Sequence, residues 1–298
     1  MKHTLAHAIQ HARPLLADGA TGTFLMEHGL RPGACPEAFN LERPELLETI
    51  ARAYLDAGSQ ILGTNTFGAS PLRLAHFGLE AHTETINRIG VQAVKAVAGD
   101  RAWVMASCGP TGAILKPYGD TDPETVLDAF RRQVRAQVQA GADAICVETM
   151  TDLEEARLAI QAVREVSATI PVFATLTFDS TPRGFFTIMG NRIPEVIRGL
   201  EQAGATAIGS NCGNGIEAMV AIAREFRANS RLPIMIQSNA GLPQATPDGV
   251  IYPESPEFMA RHVATLTELG VAIIGGCCGT GPAHIRAFRT SIEQTLAR

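Results

Sequence analysis

Eight short apolar runs alternate with eight longer segments of helical period along this chain, and no other feature restricts its fold as strongly. The apolar runs cover residues 15–18, 60–64, 103–107, 144–148, 172–177, 205–210, 234–238 and 271–275. The amphipathic segments cover 44–57, 84–98, 123–140, 152–166, 192–203, 215–228, 255–269 and 282–296. Several open on a proline and an acid, as in Pro123-Glu124, Pro194-Glu195 and Pro256-Glu257, which suits the first turn of a helix. Gly58, Gly141, Gly204 and Gly270 each separate a helical segment from the next apolar run, where a left-handed residue ends a helix. Continuous apolar strands joined by helical crossovers make a parallel sheet covered on both faces. Eight such units predict a single (β/α)8 TIM barrel over residues 1–298, a length one barrel accommodates.

A short helix is expected ahead of the barrel, stopped by Pro14. His3, His7 and His11 share one face of it, but with no thiol or carboxylate nearby that face reads as packing or solvated surface rather than a metal site. No strand is followed by a dinucleotide fingerprint.

Barrels of this kind carry their active sites at the C-terminal ends of the strands. The polar motifs fall at those ends: Asp18-Gly19-Ala20-Thr21-Gly22-Thr23, Thr64-Asn65-Thr66-Phe67-Gly68, Gly109-Pro110-Thr111-Gly112, Glu148-Thr149-Met150, Asn211-Cys212, Asn239-Ala240-Gly241 and Gly275-Gly276-Cys277-Cys278-Gly279-Thr280. Side chains alternate along a strand, so Cys277 and Cys278 aim at one place only if the backbone bends, which the flanking glycines permit. Cys212, at the end of the sixth run, supplies a third thiol. Three thiolates suggest zinc with a fourth position left exchangeable, soft ligands of this kind selecting zinc or copper(I) over magnesium or calcium. A structural zinc knuckle needs a C-x-x-C that is absent, and a Cys277–Cys278 disulfide is disfavoured by ring strain. Cys35, Cys108 and Cys146 stand apart, and Cys146 reads as a buried small hydrophobe.

Asp18 and Glu148 stand at strand ends where they would hold the ammonium group of an amino acid, although Asp18 also suits a turn and Glu148 a strand terminus. The Gly19-Ala20-Thr21-Gly22 backbone offers N–H groups for a carboxylate. Asn65, Asn211 and Asn239 would orient the loops or the substrate, and turn chemistry explains each about equally well. The net charge of -5, with 5% aromatics and no basic stripe, argues against nucleic-acid binding. No run of about 18 apolar residues spans a bilayer and no signal-peptide core opens the chain, so a cytoplasmic protein is expected.

These motifs together, DGATGT, TNTF, ET, GSNC and GGCCGT, resemble the homocysteine S-methyltransferase family over nearly the whole chain. The resemblance implies a (β/α)8 barrel, Cys212, Cys277 and Cys278 as zinc ligands, Asp18 and Glu148 on the amino end of homocysteine, and Gly19 and Ala20 near its carboxylate. Within the family the chain is similar to the homocysteine-binding module of cobalamin-dependent methionine synthase. Betaine is not expected as donor, because Gly68 and Thr149 stand where betaine enzymes carry tyrosines and aromatic faces best hold a quaternary ammonium. The chain stops after the eighth helix, so the donor is expected from elsewhere: methylcobalamin or another methyl-corrinoid on a partner protein first, S-methylmethionine or S-adenosylmethionine as the alternative. An acceptor thiol other than homocysteine, a non-catalytic zinc- or thiol-binding subunit, and assembly as a homo-oligomer all stay open.

Overall fold

A computed structural model describes residues 4–11, 14–246 and 249–298. In chain order its strands are β1 (Leu15–Leu16), β2 (Ile61–Gly63), β3 (Trp103–Cys108), β4 (Ala144–Met150), β5 (Val172–Leu176), β6 (Asp179–Thr181), β7 (Gly184–Phe186), β8 (Ala207–Asn211), β9 (Ile234–Ser238), β10 (Gln244–Thr246), β11 (Gly249–Ile251) and β12 (Ile273–Gly276). Eight of them form one parallel sheet in the order β1-β12-β9-β8-β5-β4-β3-β2. Ala17 bridges Ile61 in parallel and the Gln60 N–H donates to the Leu16 carbonyl at 2.7 Å, which shuts the sheet into the expected barrel.

Alternation along the strands divides the core in two. Leu15, Ile61, Met105, Cys146, Phe173 and Met235 form one buried cluster inside the barrel, whereas Leu16, Leu62, Val104, Ile145, Ala174 and Ile236 join the layer beneath the helices. Helix Pro44–Ala57 shows how the outer layer is specified. Proline occupies its first turn, Leu46, Leu47, Ile50, Ala51 and Tyr54 bury one stripe, and Gly58 ends it in the left-handed region. Gly141, Gly204 and Gly270 end their helices with positive φ in the same way.

The N-terminal helix, Leu5–His11, puts Leu5, Ala8 and Ile9 into the interior cluster beside Leu15 and Ile61, and so plugs the barrel at the start of its strands. His7 lies on its exposed side, and His3 is outside the described residues.

The strand starting at residue 15 is shorter than the sequence predicts, leaving Asp18 beyond it. Residues 21–27, which fall in none of the helical segments read from the sequence, form helix Thr21–Glu27. β6 with β7 and β10 with β11 are antiparallel hairpins inserted after β5 and β9. Among the described residues, no helix is long and apolar enough to cross a membrane.

Candidate active site

The loop after β12 brings two of the thiols together. Cys277 follows the strand directly, and the Thr280 N–H (3.1 Å) and hydroxyl (2.6 Å) both donate to its carbonyl, folding the chain back at once. The bend is thus a tight turn past the strand end rather than a bulge within it. A Cβ at Gly276 would overlap the Thr280 hydroxyl, which makes glycine necessary there. Cys212 follows β8 with φ of 60°, an uncommon conformation for a residue with a side chain. The three sulfurs lie within 4.8 Å of one another, and those of Cys212 and Cys278 are 3.9 Å apart. Tetrahedral zinc with bonds of about 2.3 Å sets neighbouring sulfurs about 3.8 Å apart, so the spacing fits that ion.

Within the cluster Cys212 is the favoured thiolate. Hydrogen bonds from Cys277 and then Cys278 lower its pKa to about 3 against the opposing effect of burial, helped by the Gly213 N–H and the Asn239 side chain. The same sharing raises Cys277 well above the ordinary thiol range. Asn239 Oδ1 is buried without a hydrogen-bond partner.

The cysteines share a cavity of about 400 Å³ with Asp18, Gly19, Ala20 and Glu148. Asp18 is buried and accepts the Gly63 N–H at 2.7 Å; burial, then the Glu148 charge, outweigh that bond and lift its pKa to about 7. Glu148 is half-buried, its accessible part open to the cavity. Desolvation raises it to about 7, opposed by a short hydrogen bond from the Ser107 hydroxyl and reinforced by the Cys212 charge. The register between β4 and β5 shifts between Val147 and Met150, and Thr149 has φ of 58°, so Glu148 sits in a bulge that re-aims its carboxylate.

The first and last βα loops are laced together over this cavity. The Ala20 N–H donates to the Thr280 carbonyl (3.0 Å), the Gly276 N–H to the Asp18 carbonyl (2.9 Å) and the Gly279 N–H to the Thr23 hydroxyl (3.1 Å). Ala20 therefore lines the cavity with its N–H already committed. The open N–H groups belong to the first turn of helix Thr21–Glu27. Asn65 orients a loop, donating to the Pro36 carbonyl and to Asn40 Oδ1, both at 2.8 Å.

Ser107 and Glu37 also line the cavity and were not anticipated from the sequence. Position alone could have flagged Ser107, because it ends a predicted strand. Glu37 is buried in a segment outside the barrel strands, where it accepts the Gly68 N–H at 2.6 Å. No Lys or Arg lines the cavity among the described residues.

Fold and site together define an α/β barrel with a thiol cluster and buried acids at its strand ends. The homocysteine S-methyltransferase family model matches residues 15–292, and the chain belongs to that family. It is 32% identical to methionine synthases of Mycobacterium leprae, over 95% of this chain and 24% of the relative, and of Mycobacterium tuberculosis, over 95% and 25%. The chain thus spans about a quarter of the length of these relatives. Among solved structures it is similar to the homocysteine methyltransferase MmuM from Escherichia coli. The metallated form matches with a TM-score of 0.78 at 23% identity, covering 95% of this chain and 98% of that one, and the apo form with 0.72 at 23% identity, covering 95% and 97%.

Proposed function

We propose that this chain is a zinc-dependent methyltransferase that converts homocysteine to methionine. One observation carries the reading: three thiols and the carboxylates of Asp18, Glu37 and Glu148 converge on a single cavity with no basic side chain in its wall among the described residues. Such a cavity calls for cations. A dication answers the thiols, and a substrate ammonium answers the acids.

Cys212, Cys277 and Cys278 would hold the zinc. Bound there, zinc supplies a Lewis acid that keeps a thiol in its exchangeable position as a nucleophilic thiolate at neutral pH. Asp18 and Glu148 bind and orient the amino end of homocysteine, whose carboxylate lies toward Gly19, Ala20 and the first turn of helix Thr21–Glu27. The thiol proton leaves to solvent. The sulfur electron pair forms the new bond to carbon, and the donor departs with the electrons of the bond that breaks. The family's activity, and the likeness to methionine synthases and to a homocysteine methyltransferase, support this acceptor.

For the donor, the rim favours a macromolecule. Exposed apolar side chains stand on the segments that follow several barrel strands: Met26 after β1, Ile114 and Tyr118 after β3, Ile188 after β5, and Leu242 and Val250 after β9. Apolar exposure concentrated around one opening marks a docking surface. A methyl-corrinoid carried by a separate protein is the donor this surface suits.

Homocysteine consumption is to be measured with methyl-corrinoid protein, S-methylmethionine, S-adenosylmethionine and betaine supplied separately. Methionine should form with the corrinoid donor and not with betaine. Cys212→Ala, Cys277→Ala or Cys278→Ala should abolish bound zinc and turnover together. Full turnover by zinc-free protein would sink the reading, and zinc binding with no turnover on any donor would instead support a non-catalytic role.

A further inference from the structure

We infer that Asn211 is a positioning residue that couples the thiol end of the site to its carboxylate end and so sets the length of the thiol that fits, an inference that rests on the acceptor proposed above. Asn211 is fully buried at the end of β8 and does not line the cavity. Its influence must therefore pass through its neighbours.

Both ends of its amide are engaged. Oδ1 accepts the Thr149 N–H and the Thr175 hydroxyl, each at 2.8 Å. Nδ2 donates to the Thr149 hydroxyl at 2.7 Å and lies 4.0 Å from Cys277 Sγ. A backbone nitrogen can only donate, so Oδ1 must face Thr149 and the N–H side is left for Cys277. The amide orientation is thereby fixed by chemistry.

Thr149 is a β-branched residue with φ of 58°, a conformation that persists only where its surroundings enforce it. The Asn211 amide supplies two of the enforcing bonds. Thr149 directly follows Glu148 in the bulge of β4, so holding Thr149 fixes where the Glu148 carboxylate starts. On its other side Asn211 directly precedes Cys212, and its carbonyl is held by the Thr177 hydroxyl at 3.0 Å. One side chain and its own backbone thus reference Glu148, Cys212 and Cys277 to a common frame. The gap between acid and thiols is what counts the methylenes between a substrate's amine and its sulfur. Partners of this kind around a metal site typically cost about 10- to 100-fold in metal affinity or activity when removed, so the variants are compared at saturating zinc.

The test is equilibrium binding of homocysteine and of cysteine, which is one methylene shorter, to zinc-loaded protein without any methyl donor, with zinc content and melting temperature followed in parallel. Asn211→Ala should keep its zinc yet lose about ten-fold or more of the preference for homocysteine over cysteine. Thr149→Gly keeps Asn211 but releases the strained residue and removes its hydroxyl. Because Thr149 itself lines the cavity, Thr175→Val is the companion variant, buried away from the cavity and losing only the hydroxyl that Oδ1 accepts. Both should lose preference in the same direction as Asn211→Ala with zinc retained, a pattern that a local contact at Thr149 would not produce. If Thr175→Val and any folded Asn211 variant keep the wild-type preference, the coupling role is overturned while the acceptor reading stands. If the wild-type protein binds homocysteine no better than cysteine, both fall.

Discussion

Burial holds Asp18 and Glu148 near neutrality, and that makes the proposed amine site a pH-dependent one. With pKa values of about 7 each acid is mostly protonated at about pH 6 and mostly ionised at about pH 8. An ammonium ligand binds the ionised form, so affinity should rise about ten-fold per carboxylate over that interval. A thiol-free amino acid such as norvaline isolates this effect from thiol ionisation. Calorimetry should show the rise in wild type and a flatter profile in Asp18→Asn and Glu148→Gln, both with zinc retained; a flat wild-type profile refutes the assignment. For ligand-free stability the sign is the reverse. The folded chain keeps protons that the unfolded chain has released, so these acids lower stability as pH climbs from about 4 to about 7. The thiols and acids were readable from sequence because each sits in a short polar motif closing an apolar run. The part played by Asn211 was not, because Thr149 and Thr175 lie 62 and 36 residues away and only barrel closure makes them neighbours.

At the scale of elements, the outer helices were legible because their ends carry local chemistry: proline in the first turn of Pro44–Ala57, Pro123–Gln139 and Pro256–Glu268, and a left-handed glycine just past several C-termini. The hairpins β6–β7 and β10–β11 were not, since three-residue strands of mixed polarity carry too little period to detect. The bulge at Glu148 was hidden for another reason: a shift in pairing depends on the neighbouring strand rather than on local sequence. The N-terminal helix was anticipated as an element, but its burial was not. Leu5 and Ile9 bury against the barrel interior at the end away from the cysteines, so their task is stability. Leu5→Ala or Ile9→Ala should each cost about 2–5 kcal/mol in denaturant unfolding. Zinc affinity should stay at the wild-type value; a parallel loss of zinc would show that the plug also shapes the mouth.

At the scale of the whole molecule, closure of eight strands gathers every site motif at one end, and exposed apolar side chains such as Met26, Ile188 and Leu242 stand on the segments that follow the strands at that end. A donor seated on a second protein must bury that rim, whereas a free small donor needs only the cavity. Replacing exposed rim residues with charge therefore separates the two. Ile188 is 73% exposed and Leu242 60% exposed, and neither lines the cavity, so Ile188→Asp and Leu242→Asp should leave the fold and zinc content intact. Charged groups placed in a docking surface stay desolvated and unpaired when the partner seats, which costs about 1–3 kcal/mol in association, or about five- to 150-fold. The double variant should accordingly raise the KM for a methyl-corrinoid protein by about that factor while leaving turnover from free methylcobalamin unchanged. An equal effect on both donors would place these residues outside the docking surface, and rates unaffected with either would mean that the donor enters as a small molecule and the rim faces something else.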